Sequence, residues 1–497
     1  MERGVPLKTK KLNLTQNQKI FVRDFVSALK NNDAAIFAGA GLSIPSGMMS
    51  WNELLHDAAE ELELKKDSIT DLATLAQYYQ NHRGTRLDVA QLIMDSISQY
   101  AEPNENQKLI AQLPIETVWT TNYDDLLERA YRSAYKSTSV KISPEDFSLS
   151  NGKKDVTIYK MHGDRTQPTK AVITKNDYET YNDTHLVYTT ALKGDLVEKK
   201  FLFIGFSFED PNLDYILARI KALVGENQPT HYFFIEEVKQ KKDESENDFN
   251  LRKKIQELKI IDLKRYGIRA VLLNSYNDIS EILSIIKRMS SVNNIFLSGA
   301  KEFPDGEVDS DSEQLFNKLV KKITKGIVSK RNKIISGFGQ GVGSLVINTV
   351  LEEVSNNQWF KLDDKLKIYP FPQNKNTNWT MYRKEILKNA GISIFLFGEK
   401  KSKNGDIVIS DGMLEEFQIA HEYGIKILPL GCTGGASKKI FEMVLEKPHE
   451  YYGNDLELIE MIRNLGNHDL KNTDDVTSVA NLTLEIVSKI QKLKGDS

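Results

Sequence analysis

Four short polar clusters carry residue types that could handle a nucleotide: Gly39-Ala40-Gly41-Leu42-Ser43, Thr121-Asn122-Tyr123-Asp124-Asp125, Met161-His162-Gly163-Asp164, and the stretch from Gly205 through Ser207 to Leu213. Glycines that follow a strand let backbone N–H groups approach phosphate oxygens. An amide, a carboxylate and an imidazole supply what bond cleavage needs: a group that orients a sugar or a water, a fixed charge, and a base active near neutral pH. Each cluster also has a plain reading. Gly39 and Gly41 could serve only a tight turn, Asn122 and Asp124 could form an Asx turn ahead of the helical run LLERA, and His162 could be a buried structural histidine. Position joins them, because each follows an apolar run that reads as a strand, and open α/β sheets bind ligands beyond the carboxyl ends of their strands.

The elements that must hold these clusters alternate between strand and helix patterns, which predicts α/β architecture with largely parallel sheets. TQNQKIFVRDFVSALKNN reads as a helix with Thr15 as N-cap and Gln18 completing a capping box. Strands are predicted at AAIFAG, TVWTTN, VTIYKMHG, KFLFIGFS, HYFFIEE and IRAVLLN, with a helical insertion over about residues 51–113 and a helix opening at Pro211. The acidic run KDESENDF, 242–249, reads as a solvated helix start. A boundary is placed at MSSVNN, 289–294, where polar residues precede the strand IFLSGA. Residues 1–288 and 289–497 are therefore expected to be separate domains. The second contains five short strands, IFLSGA, NKIIS, LKIYP, ISIFLFG and IKILPLG, with helices between them.

Composition removes several function classes. A chain of 497 residues exceeds what one core organises. A net charge of −3 with 27% charged residues gives no global basic field, so no nucleic-acid partner is expected; the basic run 321–333 reads as solvated helix and loop faces. The one cysteine, Cys432, can form no intrachain disulfide and no four-thiolate zinc site. The eight histidines lack metal-binding spacing, so no metal is expected. The N-terminal stretch lacks the apolar core of a signal peptide, and no run of about eighteen apolar residues occurs, so a soluble cytoplasmic protein without membrane contact is expected.

In their order along residues 15–288, the clusters resemble the sirtuins and their bacterial sirtuin-like relatives. The matching residues are Gly39-Ala40-Gly41-x-Ser43, Thr121-Asn122-Tyr123-Asp124, His162-Gly163 and Gly205-x-Ser207. The resemblance implies a Rossmann-type domain that takes NAD, with Gly39 to Ser43 near the pyrophosphate and Asn122, Asp124 and His162 around the nicotinamide ribose. It departs from the protein deacylases in two ways. The four-cysteine zinc ribbon is missing, and the first loop continues IPSGMMSW instead of Gly-Ile-Pro-x-Phe-Arg. The reaction implied is cleavage of the nicotinamide–ribose bond by water, with Asn122 orienting ribose or water, Asp124 fixing neighbours or opposing positive charge, and His162 as base. A deacylase and a non-catalytic nucleotide sensor remain as alternatives.

Residues 294–497 resemble the SLOG family of Rossmann-like modules, on IFLSGA, SGFGQGVG, YPFPQ and DGMLEEFQIA. The Pro-Gly-Gly-x-Gly-Thr platform of related hydrolases is replaced by ISDGMLEEF, which favours binding over hydrolysis. The effector-binding candidates are Ser298, Gly299, Gly339, Gly341, Arg383, Lys400 and Glu415, with Arg383 as a phosphate fork and Glu415 accepting ribose hydroxyls. The two-domain layout resembles the Thoeris antiphage effector family. That resemblance implies a cyclic ADP-ribose isomer made by a TIR-domain protein as the signal, NAD depletion as the output, and a homo-oligomer, commonly a tetramer.

Overall fold

The computed structural model describes residues 13–492 except 65–70, 98–99, 150–151, 153, 207, 209–216, 218–220, 222–228, 303–309, 331, 339–340, 371–376 and 403–404. The chain divides into two compact units, Met1–Lys287 and Arg288–Ser497. Among the described residues no helix is long and apolar enough to cross a membrane.

The first unit is built on a seven-stranded parallel sheet of β1 (Ala34–Ala38), β2 (Thr117–Thr120), β3 (Thr138–Lys141), β4 (Val156–Lys160), β5 (Lys200–Ile204), β6 (His231–Glu236) and β7 (Ile268–Leu273). Their order across the sheet is β3-β4-β2-β1-β5-β6-β7. Every residue of β1 and β2 is buried, the pattern of strands covered on both faces. All six expected strands form. β3 was not anticipated, because TSVK is short, half polar and lies at the sheet edge. The helix Gln16–Asn31 starts with the expected capping box: the Gln18 backbone N–H donates to Thr15 Oγ1 at 3.3 Å, and the Thr15 N–H donates to Gln18 Oε1 at 2.9 Å.

The insertion between β1 and β2 is helical, with segments Trp51–Leu54, His56–Glu61, Leu72–Arg83, Arg86–Asp95 and Glu105–Gln112. Its small core of Leu55, Ala58, Ala76, Val89 and Ile93 continues onto Leu126 and Ile173, which follow β2 and β4. The insertion is thereby packed beside the loops that carry the polar clusters. Ser245 caps the helix Glu246–Lys264, consistent with the solvated helix start read at 242–249. The helix expected at Pro211 lies outside the described residues.

The second unit has a five-stranded parallel sheet of β8 (Asn294–Ala300), β9 (Lys333–Ser336), β10 (Leu366–Ile368), β11 (Ile392–Phe397) and β14 (Lys426–Pro429), in the order β10-β9-β8-β11-β14. These are the five strands expected. A small antiparallel hairpin of β12 (Glu399–Lys401) and β13 (Ile407–Ile409) is added after β11; β12 is wholly charged and β13 only three residues long, so neither shows a strand pattern. Ile394, Phe395, Ile334 and Phe296 form the centre of its core with Val350, Leu428 and Ile486.

Candidate active site

Because β4, β2, β1 and β5 are consecutive across the sheet, the four loops leaving them stand side by side at one edge. The chain order reverses at β1, with β2 on one flank and β5 on the other, which is the position where doubly wound sheets open a crevice. Two glycine loops meet there. The Gly39 N–H donates to Ile204 O at 3.0 Å and the Gly41 N–H to Gly205 O at 2.9 Å. A Cβ on Gly39 would stand 2.4 Å from Gly205 O, and one on Gly41 2.9 Å from Gly205 Cα. Gly205 itself has φ +65°, and a Cβ there would lie 2.1 Å from Leu42 N. Backbone-to-backbone packing of the two loops therefore demands all three glycines.

A cavity of about 1130 Å³ opens at this point. Ala40, Gly41, Thr121, His162 and Gly205 line it, together with Trp51, Asp71, Asn104 and Asn106 from the helical insertion, Phe234 of β6 and Tyr276 beyond β7. Gly39, Ser43 and Asn122 adjoin it without lining it. The Asn122 amide nitrogen donates to Gly39 O and to Ser43 Oγ, each at 3.1 Å, and Ser43 Oγ also accepts from Gln107 Nε2 at 3.3 Å. Asn122 Oδ1 is buried and has no hydrogen-bond partner among the described residues. Ser207 lies outside the described residues.

His162 is buried, with its ring edge-on to Tyr178 at a centroid distance of 5.5 Å. Its carbonyl accepts from the Val172 N–H at 2.9 Å. The neighbouring Gly163 adopts φ +93°, and a Cβ there would meet Ala171 Cα at 3.2 Å, so the chain turns tightly beneath the imidazole. Asp124 is spent locally: its Oδ1 accepts from the Leu126 N–H at 3.0 Å, forming the Asx turn that opens the helix Leu126–Ser133. That geometry fits the role of fixing neighbours better than that of opposing charge.

In the second unit, Ser298, Arg383 and Glu415 come together around a residue the sequence reading passed over, Glu416. Ser298 Oγ donates to Glu416 Oε2 at 2.6 Å, and Arg383 Nε is 3.8 Å from Glu416 Oε1. Arg383 Nη1 donates to Glu415 Oε2 at 2.5 Å, and Thr380 Oγ1 donates to the other oxygen of Glu415. Burial pushes the Glu416 carboxyl up to about 7, against the lowering pull of the Ser298 hydroxyl and Arg383. Lys400 pairs with Asp411 at the start of the helix Asp411–Glu422. A Cβ on Gly299 would press on Leu396 O at 2.9 Å and Val342 Cγ1 at 3.0 Å. Gly341, with φ +73°, leads into the helix Val342–Ser355. Gly339 lies outside the described residues.

Two family models match the chain, a SIR2-like domain over residues 116–261 and the Sir2- and TIR-associating SLOG family over 278–489. A protein of Bacillus cereus (strain MSX-D12) named NAD(+) hydrolase ThsA is 41% identical over 474 residues, covering 94% of this chain and 98% of that protein. The chain belongs to the ThsA family. Other members with the same name come from Cytobacillus dafuensis, 40% identical over 89% of this chain and 91% of that protein, and Enterococcus faecium, 37% identical over 94% and 99%. Within this family the α/β pairing of a sirtuin-like unit with a SLOG unit follows directly.

For this ThsA-family chain, sequence reading missed a buried lysine at the site as well as Glu416. Lys160, the last residue of β4, has a fully buried side chain whose ammonium donates to Tyr123 O at 3.1 Å and Asp124 O at 2.5 Å. It also pairs with Asp164 at 2.5 Å and Glu128 at 3.2 Å. The signal was present in the strand VTIYK, where Lys160 falls on the same alternating set as Val156 and Ile158, both buried.

Proposed function

We propose that residues 1–288 cleave NAD+ at the nicotinamide–ribose bond and that residues 289–497 sense a nucleotide signal that switches this activity on. The observation that carries the reading is the cavity at the β1/β5 switch point, with His162 and Thr121 in its wall and the Asn122 amide bonded to the glycine loop beside it. The names of the ThsA relatives support NAD+ as substrate. The C–N bond breaks with its electron pair leaving on nicotinamide, and a positively charged ribose centre develops. Water attacks C1′ and gives its proton to His162, so the products are nicotinamide, ADP-ribose and a proton. Asn122, held by Gly39 and Ser43, keeps its carbonyl oxygen available to orient a ribose hydroxyl or the water.

The SLOG unit is read as the receptor for a cyclic ADP-ribose isomer made by a TIR-domain enzyme, with Arg383, Glu415, Ser298 and Lys400 as its polar contacts. Its output is NAD+ depletion in antiphage defence, within a homo-oligomer such as a tetramer. An enzyme that destroys an essential cofactor must rest inactive. A switch from 1:99 to 99:1 needs about 5.5 kcal/mol, whereas one site typically couples about 1–3 kcal/mol, so several linked sites suit the task. The test is chromatography of NAD+ incubated with the purified protein, with and without cyclic ADP-ribose isomers. Asn122→Ala should cut turnover by about 10²–10³, and Arg383→Ala should abolish only its stimulation. Intact NAD+ under every condition would overturn the reading.

A further inference from the structure

Lys160 takes a place that a parallel strand ordinarily gives to an apolar residue, and burying an ammonium costs several kcal/mol unless partners compensate. Its partners lie on both sides of the site. Tyr123 O and Asp124 O belong to the loop after β2, immediately past Asn122, while Asp164 belongs to the loop after β4, two residues past His162. Glu128 adds a second carboxylate from the helix Leu126–Ser133. The same two loops are tied again by the Arg165 N–H donating to Tyr123 O at 3.0 Å and by the Arg165–Asp125 ion pair at 3.1 Å. The half-exposed Arg165–Asp125 pair is weakened by solvent, whereas the fully buried ammonium is shielded from water and held by four protein acceptors.

We propose that Lys160 is a positioning residue for NAD+ cleavage: its ammonium bolts the Asn122 loop to the His162 loop and sets the separation of the amide and the imidazole across the reacting carbon. The inference rests on the reading that those two residues act on the ribose. Burial alone would lower the affinity of Lys160 for its proton, but the carboxylates of Glu128 and Asp164 outweigh it and raise the pKa above the ordinary lysine value. Asp164 is lowered correspondingly, because the ammonium overcomes the effect of its burial. The bolt therefore stays charged throughout the pH range in which an imidazole base works.

A merely structural lysine would lower stability and leave the folded enzyme's turnover alone. A positioning lysine changes kcat at nearly constant KM, since a misplacement of about 1 Å can cost about 10²-fold. The experiment follows nicotinamide release from NAD+ by the full-length protein under one activating condition, with the folded fraction of each variant measured by thermal melting. Asp164→Asn, which keeps shape and an acceptor for the Thr166 N–H, is expected to lower kcat about 10-fold with KM within about 3-fold. Lys160→Met is expected to lower it further, and the double variant no further than Lys160→Met, because both changes cut one strut. Should Lys160→Met fail to fold, Asp164→Asn alone decides. Wild-type kcat in folded Asp164→Asn, or losses that track the unfolded fraction, would overturn the inference. Asn122→Ala and His162→Ala run alongside: if those retain full turnover, the underlying reading of the site fails instead.

Discussion

The Asn122 side-chain amide donates to the Gly39 carbonyl oxygen at 3.1 Å, joining the loop after β2 to the loop after β1. The bond fixes which end of the amide faces which way. The nitrogen is used up on Gly39 and Ser43, and Oδ1 remains buried without a partner among the described residues. Such an acceptor costs about 1–3 kcal/mol when unsatisfied, a cost that a substrate hydroxyl or water would remove. Asn122→Ala is therefore expected to lower kcat/KM for NAD+ by about 10²–10³, while stability changes by only about 1–2 kcal/mol. His162→Ala should lose about 10²–10⁴ in rate and still fold. Nicotinamide release and thermal melting on the same samples separate the two effects; a fully active His162→Ala would remove the imidazole from the reaction.

Gly205→Ala tests whether the glycines serve loop packing as well as ligand approach. With φ +65° and a Cβ position 2.1 Å from Leu42 N, alanine must strain the backbone and push the β1 loop outward. The expected loss is roughly 3 kcal/mol of stability, combining left-handed strain with overpacking, and NAD+ turnover should fall with it. Gly47→Ala is the control. It also has positive φ, but nothing lies within 4 Å of the added Cβ, so about 1 kcal/mol is expected in a melting experiment.

The sheet was legible because parallel strands buried on both faces must be largely apolar runs, and AAIFA, the FLFI that follows Lys200, and ISIFLF with Ser393 as its one polar residue all are. The edge strand Thr138–Lys141 and the strand Glu399–Lys401 escaped because edge and surface strands carry polar residues that erase the signal, and Ile407–Ile409 escaped because three residues are too few to show a period. At the site, types near glycines were legible, and pairings across the sheet were not. Asn122 and Gly39 are neighbours only because β2 and β1 pair, which no local pattern encodes. Glu416 was overlooked beside Glu415 for the same reason. Which of two adjacent glutamates turns inward depends on where the helix Asp411–Glu422 rests on β8, and Ser298 meets the second of them.

Acid should weaken the first unit through His231. This histidine is buried on β6, its Nδ1 accepts from the Phe201 N–H at 3.2 Å, and burial lowers its pKa to about 3, with the Lys200 charge adding to the effect. An unfolded imidazole titrates near 6.5, so between about 6.5 and 3 the unfolded state binds the extra proton and stability falls as pH falls. The loss is about 1.4 kcal/mol per pH unit, or about 2 kcal/mol from pH 7 to pH 5. Glu416 runs the opposite way in the second unit, since a carboxyl pushed up to about 7 keeps its proton longer when folded. The His231 contribution is therefore read as the difference between wild type and His231→Asn, whose Oδ1 replaces the acceptor. The variant's melting midpoint should be less sensitive to pH over this range, and equal slopes would refute the assignment.

Gly412 offers a way to move Arg383 without altering it. Gly412 is the second residue of the helix Asp411–Glu422, where alanine ordinarily stabilises by up to about 1 kcal/mol. Here the added Cβ would stand 2.7 Å from Arg383 Nη2, and a guanidinium at the end of a flexible side chain can give way. Arg383 would swing from Glu415 and Glu416 while the fold stays intact. Gly412→Ala is thus expected to melt no lower than wild type, yet to need a higher concentration of the cyclic ADP-ribose isomer for half-maximal NAD+ turnover, by about 10-fold if one charge-assisted hydrogen bond is lost. A stabilised variant with unchanged response would show that the guanidinium need not keep this position for the signal to act, and a destabilised one would show that the Arg383 side chain, 14% exposed, is held too rigidly by Glu415 and Glu416 to give way.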